Sequence, residues 1–246
     1  MVSDEDWWAA PPPSPLLGAG EVHVWRASAD RSPPDVERLA SSLSSDERAR
    51  AARFVFERDR TSFQVAHGAL RDLLGRYLAV EPGRLEFLAG PHGRPELAAP
   101  AADGLSFNLS HSGGVVLVAV TRGRRIGVDV ERVRPLRDLL ALSRRFFQPA
   151  EDEALRLAAP EALPSKFFEL WTAKEAIIKA TGEGLSGLEG VELALALGAP
   201  PAALKVSGSP DGAGRWVVKP LQAGPEYRAA LAADSAGFSL RTFEWG

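Results

Sequence analysis

Hydrophobic and polar positions alternate with different periods in successive parts of the first half of the chain. Residues 21–28, EVHVWRAS, alternate apolar and polar side chains, and this pattern predicts a half-buried strand. Ser45 begins a helix-start pattern, and apolar residues then recur at helical spacing from Asp59 to Leu78, which predicts a long amphipathic helix. Short apolar runs punctuated by Gly and Pro follow and predict strands at 85–88, 105–109, 115–121 and 126–133.

The second half of the chain repeats this order of elements. Helical patterns extend from about Arg137 to Thr181, and strand-like segments begin near residues 191, 215, 226 and 238. Residues 122–125 are short enough for a hairpin loop, and the two halves meet there. The sequence therefore predicts an α+β protein with two similar α+β subdomains, residues 21–124 and 125–246, after a proline-rich surface tail of residues 1–20.

Composition and charge narrow the class of protein. The 246 residues are 45% hydrophobic and 25% charged, as is typical of a soluble globular protein. A net charge of -3 gives no long-range attraction to nucleic acid or to an anionic membrane, and the absence of cysteine excludes disulfides and thiolate metal sites. The chain shows neither a membrane-spanning run nor the basic start of a secretory signal, so we expect a cytoplasmic protein without nucleic-acid or membrane partners.

The run from Gly127 to Glu131, GVDVE, is the most informative candidate for chemistry. Because positions two apart share one face of a strand, Asp129 and Glu131 present two carboxylates side by side. Their repulsion is relieved if a cation lies between them, and oxygen ligands suit Mg²⁺. An ordinary solvent-facing strand edge would show the same alternation, and the run by itself favours that simpler interpretation.

Residues 166–180, KFFELWTAKEAIIKA, predict a helix with one buried face. Glu175 and Lys179 are i, i+4 neighbours on this helix, so they could form a common surface ion pair. Alternatively, Glu175 is a third metal ligand, and Lys174 and Lys179 contact phosphate.

Two further runs could bind an anion. Ser110 and His111 lie in FNLSHSGG, residues 107–114, where hydroxyls, an imidazole and glycines suit an anion-binding loop. A nucleophilic serine with a histidine base is a rival interpretation, although no G-x-S-x-G elbow surrounds Ser110, and an ordinary turn is another. Arg53, Arg58 and the GPHGRP loop at 90–95 could bind nucleotide phosphate, or the arginines could be solvated helix-face charges.

Taken together and in this order, the four runs resemble the 4'-phosphopantetheinyl transferase superfamily, specifically its surfactin-type (Sfp-type) members. That family shows G-[RK]-P, F-N-x-S-H-S, G-x-D-x-E and W-[TS]-x-K-E-[AS]-x-x-K motifs, which appear here at 93–95, 107–112, 127–131 and 171–179. The match spans roughly residues 54–185, and the first twenty and last sixty or so residues carry no motif that matches.

The resemblance implies a fold, an activity and two partners. The fold would be a pseudo-twofold pair of α+β subdomains with the active site in the cleft between them. The protein would act as a monomer and transfer the 4'-phosphopantetheine group from coenzyme A to a serine of an apo acyl or peptidyl carrier protein. The reaction would use Mg²⁺ and release adenosine 3',5'-bisphosphate.

The resemblance also implies roles for individual residues. The metal ligands would be Asp129, Glu131 and Glu175. Glu175 and Lys179, with Lys174 beside them in the motif, would carry the catalysis. The residues expected to bind coenzyme A are Lys179, Ser110, His111, Gly93, Arg94, Pro95 and, for the 3'-phosphate, Arg53 and Arg58.

Three alternatives remain open at this point. A small trimeric holo-acyl-carrier-protein synthase belongs to the same superfamily, but such chains are about half this length. A hydrolase or nucleotidyl transferase could use the same carboxylates, and a noncatalytic protein could bind coenzyme A or a carrier. Carrier identity is not encoded in a motif, although Phe146 and Phe147 could belong either to a carrier-facing surface or to the core.

Overall fold

A computed structural model describes residues 7–12, 14–90, 95–98, 104–196, 199–207, 216–234 and 237–246. The chain divides into two compact units. Unit 1 contains residues 1–123 and 239–246, and unit 2 contains residues 124–238. Both units combine strands with a long helix, which confirms the α+β class.

Unit 1 is built on a four-stranded sheet. Its strands are β1 (Glu21–Ser28), β4 (Leu105–Ser112), β5 (Val115–Arg122) and β11 (Ser239–Glu244), and a separate pair is formed by β2 (Phe87–Ala89) and β3 (Pro95–Leu97). The order across the four-stranded sheet is β11-β1-β5-β4. The helices are α1 (Pro33–Ser41), α2 (Ser45–Ala51) and α3 (Glu57–Leu78). Apolar residues of α3 and of the inner strands form one continuous core.

Unit 2 has a three-stranded sheet and a separate strand pair. The sheet strands are β6 (Ile126–Arg132), β9 (Val217–Pro220) and β10 (Tyr227–Ala233), and the pair is β7 (Val191–Ala194) with β8 (Ala202–Val206). Strand β10 lies between β6 and β9. The helices are α4 (Leu139–Phe146), α5 (Pro149–Arg156) and α6 (Leu163–Thr181). The core lies chiefly between the apolar face of α6 and the sheet.

Local sequence signals explain where several helices begin and end. Ser44 and Glu47 form a reciprocal capping box that starts α2, since each side chain accepts a backbone N–H of the other residue. Helix α6 carries Pro164 in its first turn and ends at Gly182, whose φ of 80° is readily reached only by glycine. The long helix that bears the candidate site is therefore delimited by its own sequence.

The structure differs from the sequence prediction at both ends of unit 1. The expected hairpin at residues 122–125 is wrong, because β5 and β6 belong to different sheets and these residues lead from one unit to the other. Strand β11, which the sequence placed in the second subdomain, pairs in parallel with β1. Part of the predicted surface tail packs into unit 1, since Trp8 is buried and Ala9 forms an isolated β-bridge with Phe243 of β11.

Candidate active site

Gly127 allows β6 and α6 to approach more closely than any side chain would permit. A Cβ atom built on Gly127 would lie 2.0 Å from the Ala176 carbonyl oxygen and 2.6 Å from the Ala180 nitrogen. Both are backbone atoms of α6, so Gly127 faces that helix. Because residues two apart along a strand share a face, Asp129 and Glu131 also project from the side of β6 that carries α6.

Asp129 and Lys179 form the central contact between the two elements. The Lys179 ammonium donates to Asp129 Oδ1 at 2.6 Å and to the Val128 carbonyl oxygen at 3.3 Å. Asp129 is 4% exposed, whereas the Lys179 side chain keeps 27% of its surface exposed. A nearly buried carboxylate thus lies beside a cation that still reaches solvent, as a site for an anionic ligand requires.

Glu175 lies one helical turn before Lys179 and experiences the same cluster of charges. Its pKa is raised to about 7, first because burial disfavours the charged carboxylate. The negative charges of Asp129 and, less strongly, Glu131 raise the pKa further, and the Lys179 ammonium opposes them. Glu175 is therefore electrostatically coupled to both strand carboxylates, and its pKa lies near neutrality, where a general base is most effective.

The three carboxylates Asp129, Glu131 and Glu175 are the expected metal ligands. Among the residues that the structure describes, no three His, Cys, Asp or Glu side chains form a ready metal-binding group. One Asp129 oxygen instead contacts Lys179. The chemistry of the donors nevertheless fits a hard divalent cation, because all three are carboxylates and their mutual repulsion is what such a cation would relieve.

Lys174, which the sequence grouped with the catalytic residues, faces away from solvent. Its side chain is 0% exposed, and its ammonium donates to Glu151 Oε2 at 2.7 Å. Phe147, in the run considered for carrier recognition, is also buried and belongs to the core, and Phe146 packs partly buried against it.

The candidate coenzyme-binding residues of unit 1 lie in three places. Ser110 and His111 are near the end of β4, where Ser110 is buried and His111 is exposed with its Nδ1 3.4 Å from Ser62 Oγ. Arg53 and Arg58 are exposed before and at the start of α3, and the Arg58 guanidinium lies 3.5 Å from Asp59. Gly93 and Arg94 lie outside the described residues, whereas Pro95 is half-buried at the start of β3.

Two further residues of unit 2, Arg228 and Glu151, are neighbours of Glu131 and Lys174 and were not predicted from the sequence. Arg228 lies opposite Glu131 in the antiparallel pairing of β10 with β6, and its guanidinium donates twice to Ser165 Oγ at the start of α6. Glu151 is the buried partner of Lys174. Glu151 stands three residues after Gln148 at a helix start, a spacing typical of a capping box, whereas no local pattern distinguishes Arg228 from other strand arginines.

Within the described residues, no helix combines the length and the apolar character that crossing a bilayer requires.

Two protein-family models together match most of the residues of both units. A family model described as "4'-phosphopantetheinyl transferase superfamily" matches residues 125–232, and one described as "4'-phosphopantetheinyl transferase, N-terminal" matches residues 25–122. Each match falls within one of the two structural units.

Individual curated proteins show the same relationship. The chain is 41% identical over 239 residues to 4'-phosphopantetheinyl transferase HetI of Nostoc sp.. The aligned region covers 97% of each of the two chains. It is 28% identical to a 4'-phosphopantetheinyl transferase of Bacillus subtilis, over 85% of this chain and 91% of that protein. It is also 29% identical to 4'-phosphopantetheinyl transferase Sfp of Bacillus subtilis strain 168, over 61% of this chain and 65% of Sfp.

Proposed function

Because the chain belongs to the 4'-phosphopantetheinyl transferase superfamily and is an enzyme of that class, we propose that coenzyme A is its donor and that the reaction depends on Mg²⁺. The acceptor is a serine of an apo acyl or peptidyl carrier protein, and the second product is adenosine 3',5'-bisphosphate. The enzyme acts as a monomer in the cytoplasm.

One observation carries the proposal beyond family membership. Asp129, Glu175 and Lys179, which come from separate parts of the sequence, form one electrostatically coupled cluster in unit 2. The cluster combines carboxylates for a cation with an ammonium for a phosphate, and a pyrophosphate donor requires both. A surface ion pair would not need to bury Asp129 to 4% exposure.

Asp129, Glu131 and Glu175 are the residues that would hold Mg²⁺. When bound, the ion would supply positive charge beside the pyrophosphate oxygens and make the phosphorus more electrophilic.

Glu175 acts as the general base in the transfer, and Lys179 stabilises the leaving group. The carrier serine gives its hydroxyl proton to Glu175, directly or through a water molecule, and its oxygen attacks the phosphorus that bears the pantetheine arm. A new oxygen–phosphorus bond forms as the pyrophosphate bridge breaks, and the bridging oxygen leaves with adenosine 3',5'-bisphosphate. The Lys179 ammonium stabilises the negative charge that develops on this leaving group.

Several residues of unit 1 are proposed to bind coenzyme A rather than to act in the chemistry. They are Ser110 and His111 for phosphate, Gly93, Arg94 and Pro95 for the adenine end, and Arg53 and Arg58 for the 3'-phosphate. The exposure of His111, Arg53 and Arg58 leaves these side chains accessible to a ligand.

The decisive experiment mixes the purified protein with Mg²⁺, coenzyme A and a panel of apo carriers. We expect intact-mass spectrometry to show addition of one phosphopantetheine group to a carrier. A carrier whose acceptor serine is replaced by alanine and a reaction containing a chelator should both remain unmodified. Coenzyme A consumption without any carrier would favour a hydrolase, and binding without transfer to any carrier would favour a noncatalytic protein.

Replacing Lys179 with alanine should slow transfer without preventing carrier binding. We expect kcat to fall about 100-fold, because an ammonium that stabilises the leaving group acts mainly in the transition state. The KM for the carrier should change by less than about threefold. Steady-state kinetics with one carrier provide both values, and an unchanged kcat would remove Lys179 from the chemistry.

Replacing His111 with alanine should instead weaken coenzyme A binding. We expect about a tenfold higher dissociation constant, measured by calorimetry, because one polar contact to a phosphate is lost. Saturating coenzyme A should restore most of the turnover. Unaltered coenzyme affinity combined with lost turnover would identify His111 as a catalytic base instead.

A further inference from the structure

The ammonium of Lys174 is enclosed by three neighbours in unit 2. It donates to Glu151 Oε2 at 2.7 Å and to the Phe146 carbonyl oxygen at 3.1 Å, and it lies 5.1 Å from the centre of the Phe147 ring. Lys174 and Glu151 are each 0% exposed. A group in this environment cannot touch a substrate, although it stands next to Glu175 in the sequence.

Glu151 connects this lysine to two further elements. Its Oε2 accepts the Gln148 N–H at 2.8 Å, at the start of α5, and its Oε1 accepts the Leu193 N–H at 2.7 Å, in β7. Leu193 lies at an irregularity of the β7–β8 pairing, where the carboxylate replaces a strand partner for this N–H. A single carboxylate therefore ties α5, α6 and β7 together.

Stability alone is a weak explanation for this ion pair. Removing two charges from water is costly, and replacing a buried pair by apolar residues of similar volume is often neutral or stabilising. Burial indeed lowers the pKa of Lys174, and the Glu151 carboxylate only opposes that shift. Directional hydrogen bonds, in contrast, fix an orientation that apolar contacts leave looser.

Helix geometry makes the orientation of Lys174 relevant to its neighbour. Successive residues of an α-helix point about 100° apart around its axis. When Lys174 is held toward Glu151, the rotation of α6 about its own axis is set, and Glu175 is turned toward the strand that carries Asp129. Gly127 then fixes how closely the two elements approach.

We propose that Lys174 is a positioning residue, whose buried pair with Glu151 sets the rotation of α6 so that Glu175 and Lys179 face Asp129 and Glu131. This inference rests on the proposed function, since it assigns a supporting role to the same site. It also replaces the catalytic role that the sequence suggested for Lys174 with an indirect one.

The test compares Lys174→Met with Lys166→Met in the full-length protein. Both changes remove one lysine from α6, but Lys166 is 34% exposed and forms an ion pair with Glu169, which is 32% exposed. We expect kcat to fall about tenfold in Lys174→Met with little change in the KM for the carrier, because a slightly rotated helix misaligns reacting groups. Lys166→Met should keep kcat within about twofold.

A second readout does not depend on turnover. Coenzyme A should raise the thermal unfolding midpoint in the presence of Mg²⁺, and the Mg²⁺ concentration giving half of this increase should rise about tenfold in Lys174→Met. It should stay unchanged in Lys166→Met. If the wild-type protein shows this metal-dependent shift but modifies no carrier, the proposed function fails while the positioning role is still measurable.

The double variant Lys174→Met/Glu151→Gln separates positioning from stability. It removes both charges while the glutamine oxygen can still accept the Leu193 N–H, so we expect it to unfold at a higher temperature than Lys174→Met, close to the wild-type value, while its kcat stays about tenfold low. Recovery of both kcat and the unfolding temperature would show that the pair is only structural. An unchanged kcat and Mg²⁺ requirement in Lys174→Met would equally overturn the positioning role while leaving the transferase function intact.

Discussion

Replacing Asp129 with alanine is expected to abolish phosphopantetheine transfer, with kcat/KM at least about 10³-fold below that of the wild-type enzyme. The change removes one of three coupled carboxylates and deprives the Lys179 ammonium of a partner at 2.6 Å. The cation-binding and anion-binding halves of the cluster are therefore disturbed together. Intact-mass detection of the modified carrier provides the measurement, since it remains sensitive when turnover is very slow.

The fold of the Asp129→Ala protein should remain nearly intact. The Lys179 side chain is 27% exposed, so its ammonium can be hydrated when the carboxylate is lost. Asp46→Ala is a suitable control because Asp46 is exposed on α2, far along the sequence from the cluster, and should keep full activity. Undiminished transfer by a folded Asp129→Ala protein would contradict the assignment of Asp129 to the metal.

Local patterns predicted individual helices and strands more successfully than they predicted which strands pair with one another. Alternation predicted β1 at 21–28, and helical spacing predicted the long helix α3 with only its first two residues missed. The same patterns placed β11 in the wrong subdomain and predicted a hairpin between β5 and β6. Alternation reports which face of a strand is buried, whereas the choice of neighbour depends on the packing of residues more than 200 positions apart.

The candidate site shows the same division between local and tertiary information. Strand periodicity predicted that Asp129 and Glu131 share one face, and helix periodicity predicted that Glu175 and Lys179 lie together. Neither period relates the strand to the helix, so the two pairs could be joined from the sequence only through the family's set of motifs. In the fold, the close approach of β6 to α6 at Gly127 brings them into one cluster.

Lys174 illustrates why adjacency in sequence is a poor guide to adjacency in a site. It stands beside Glu175 in the motif, and yet its side chain points into the core toward Glu151. A lysine stays charged in the core only with a partner that compensates its charge, and this partner lies 23 residues earlier in the chain. The direction of the side chain was therefore decided by a residue that the motif does not contain.

Replacing Gly127 with alanine is expected to damage both stability and activity through a single methyl group. The added Cβ would lie 2.0 Å from the Ala176 carbonyl oxygen and 2.6 Å from the Ala180 nitrogen, and backbone atoms of a helix cannot rotate away. Helix α6 must shift, which should lower the unfolding free energy by roughly 3 kcal/mol and the thermal unfolding midpoint by about 6–12 °C. Since Glu175 and Lys179 move with the helix, transfer should fall at least about 100-fold.

Gly83→Ala provides the matched control for this methyl group. At Gly83 the nearest atom to an added Cβ would be the Ser42 carbonyl oxygen at 4.0 Å, so the same chemical change meets no obstacle. We expect its unfolding midpoint and transfer rate to equal those of the wild-type protein. If Gly127→Ala were equally harmless, α6 could retreat from β6 without consequence, and the catalytic cluster could not depend on the close packing of these two elements. A loss of activity at temperatures well below the lowered midpoint would instead show that the separation of helix and strand, and not merely the stability of unit 2, sets the rate of transfer.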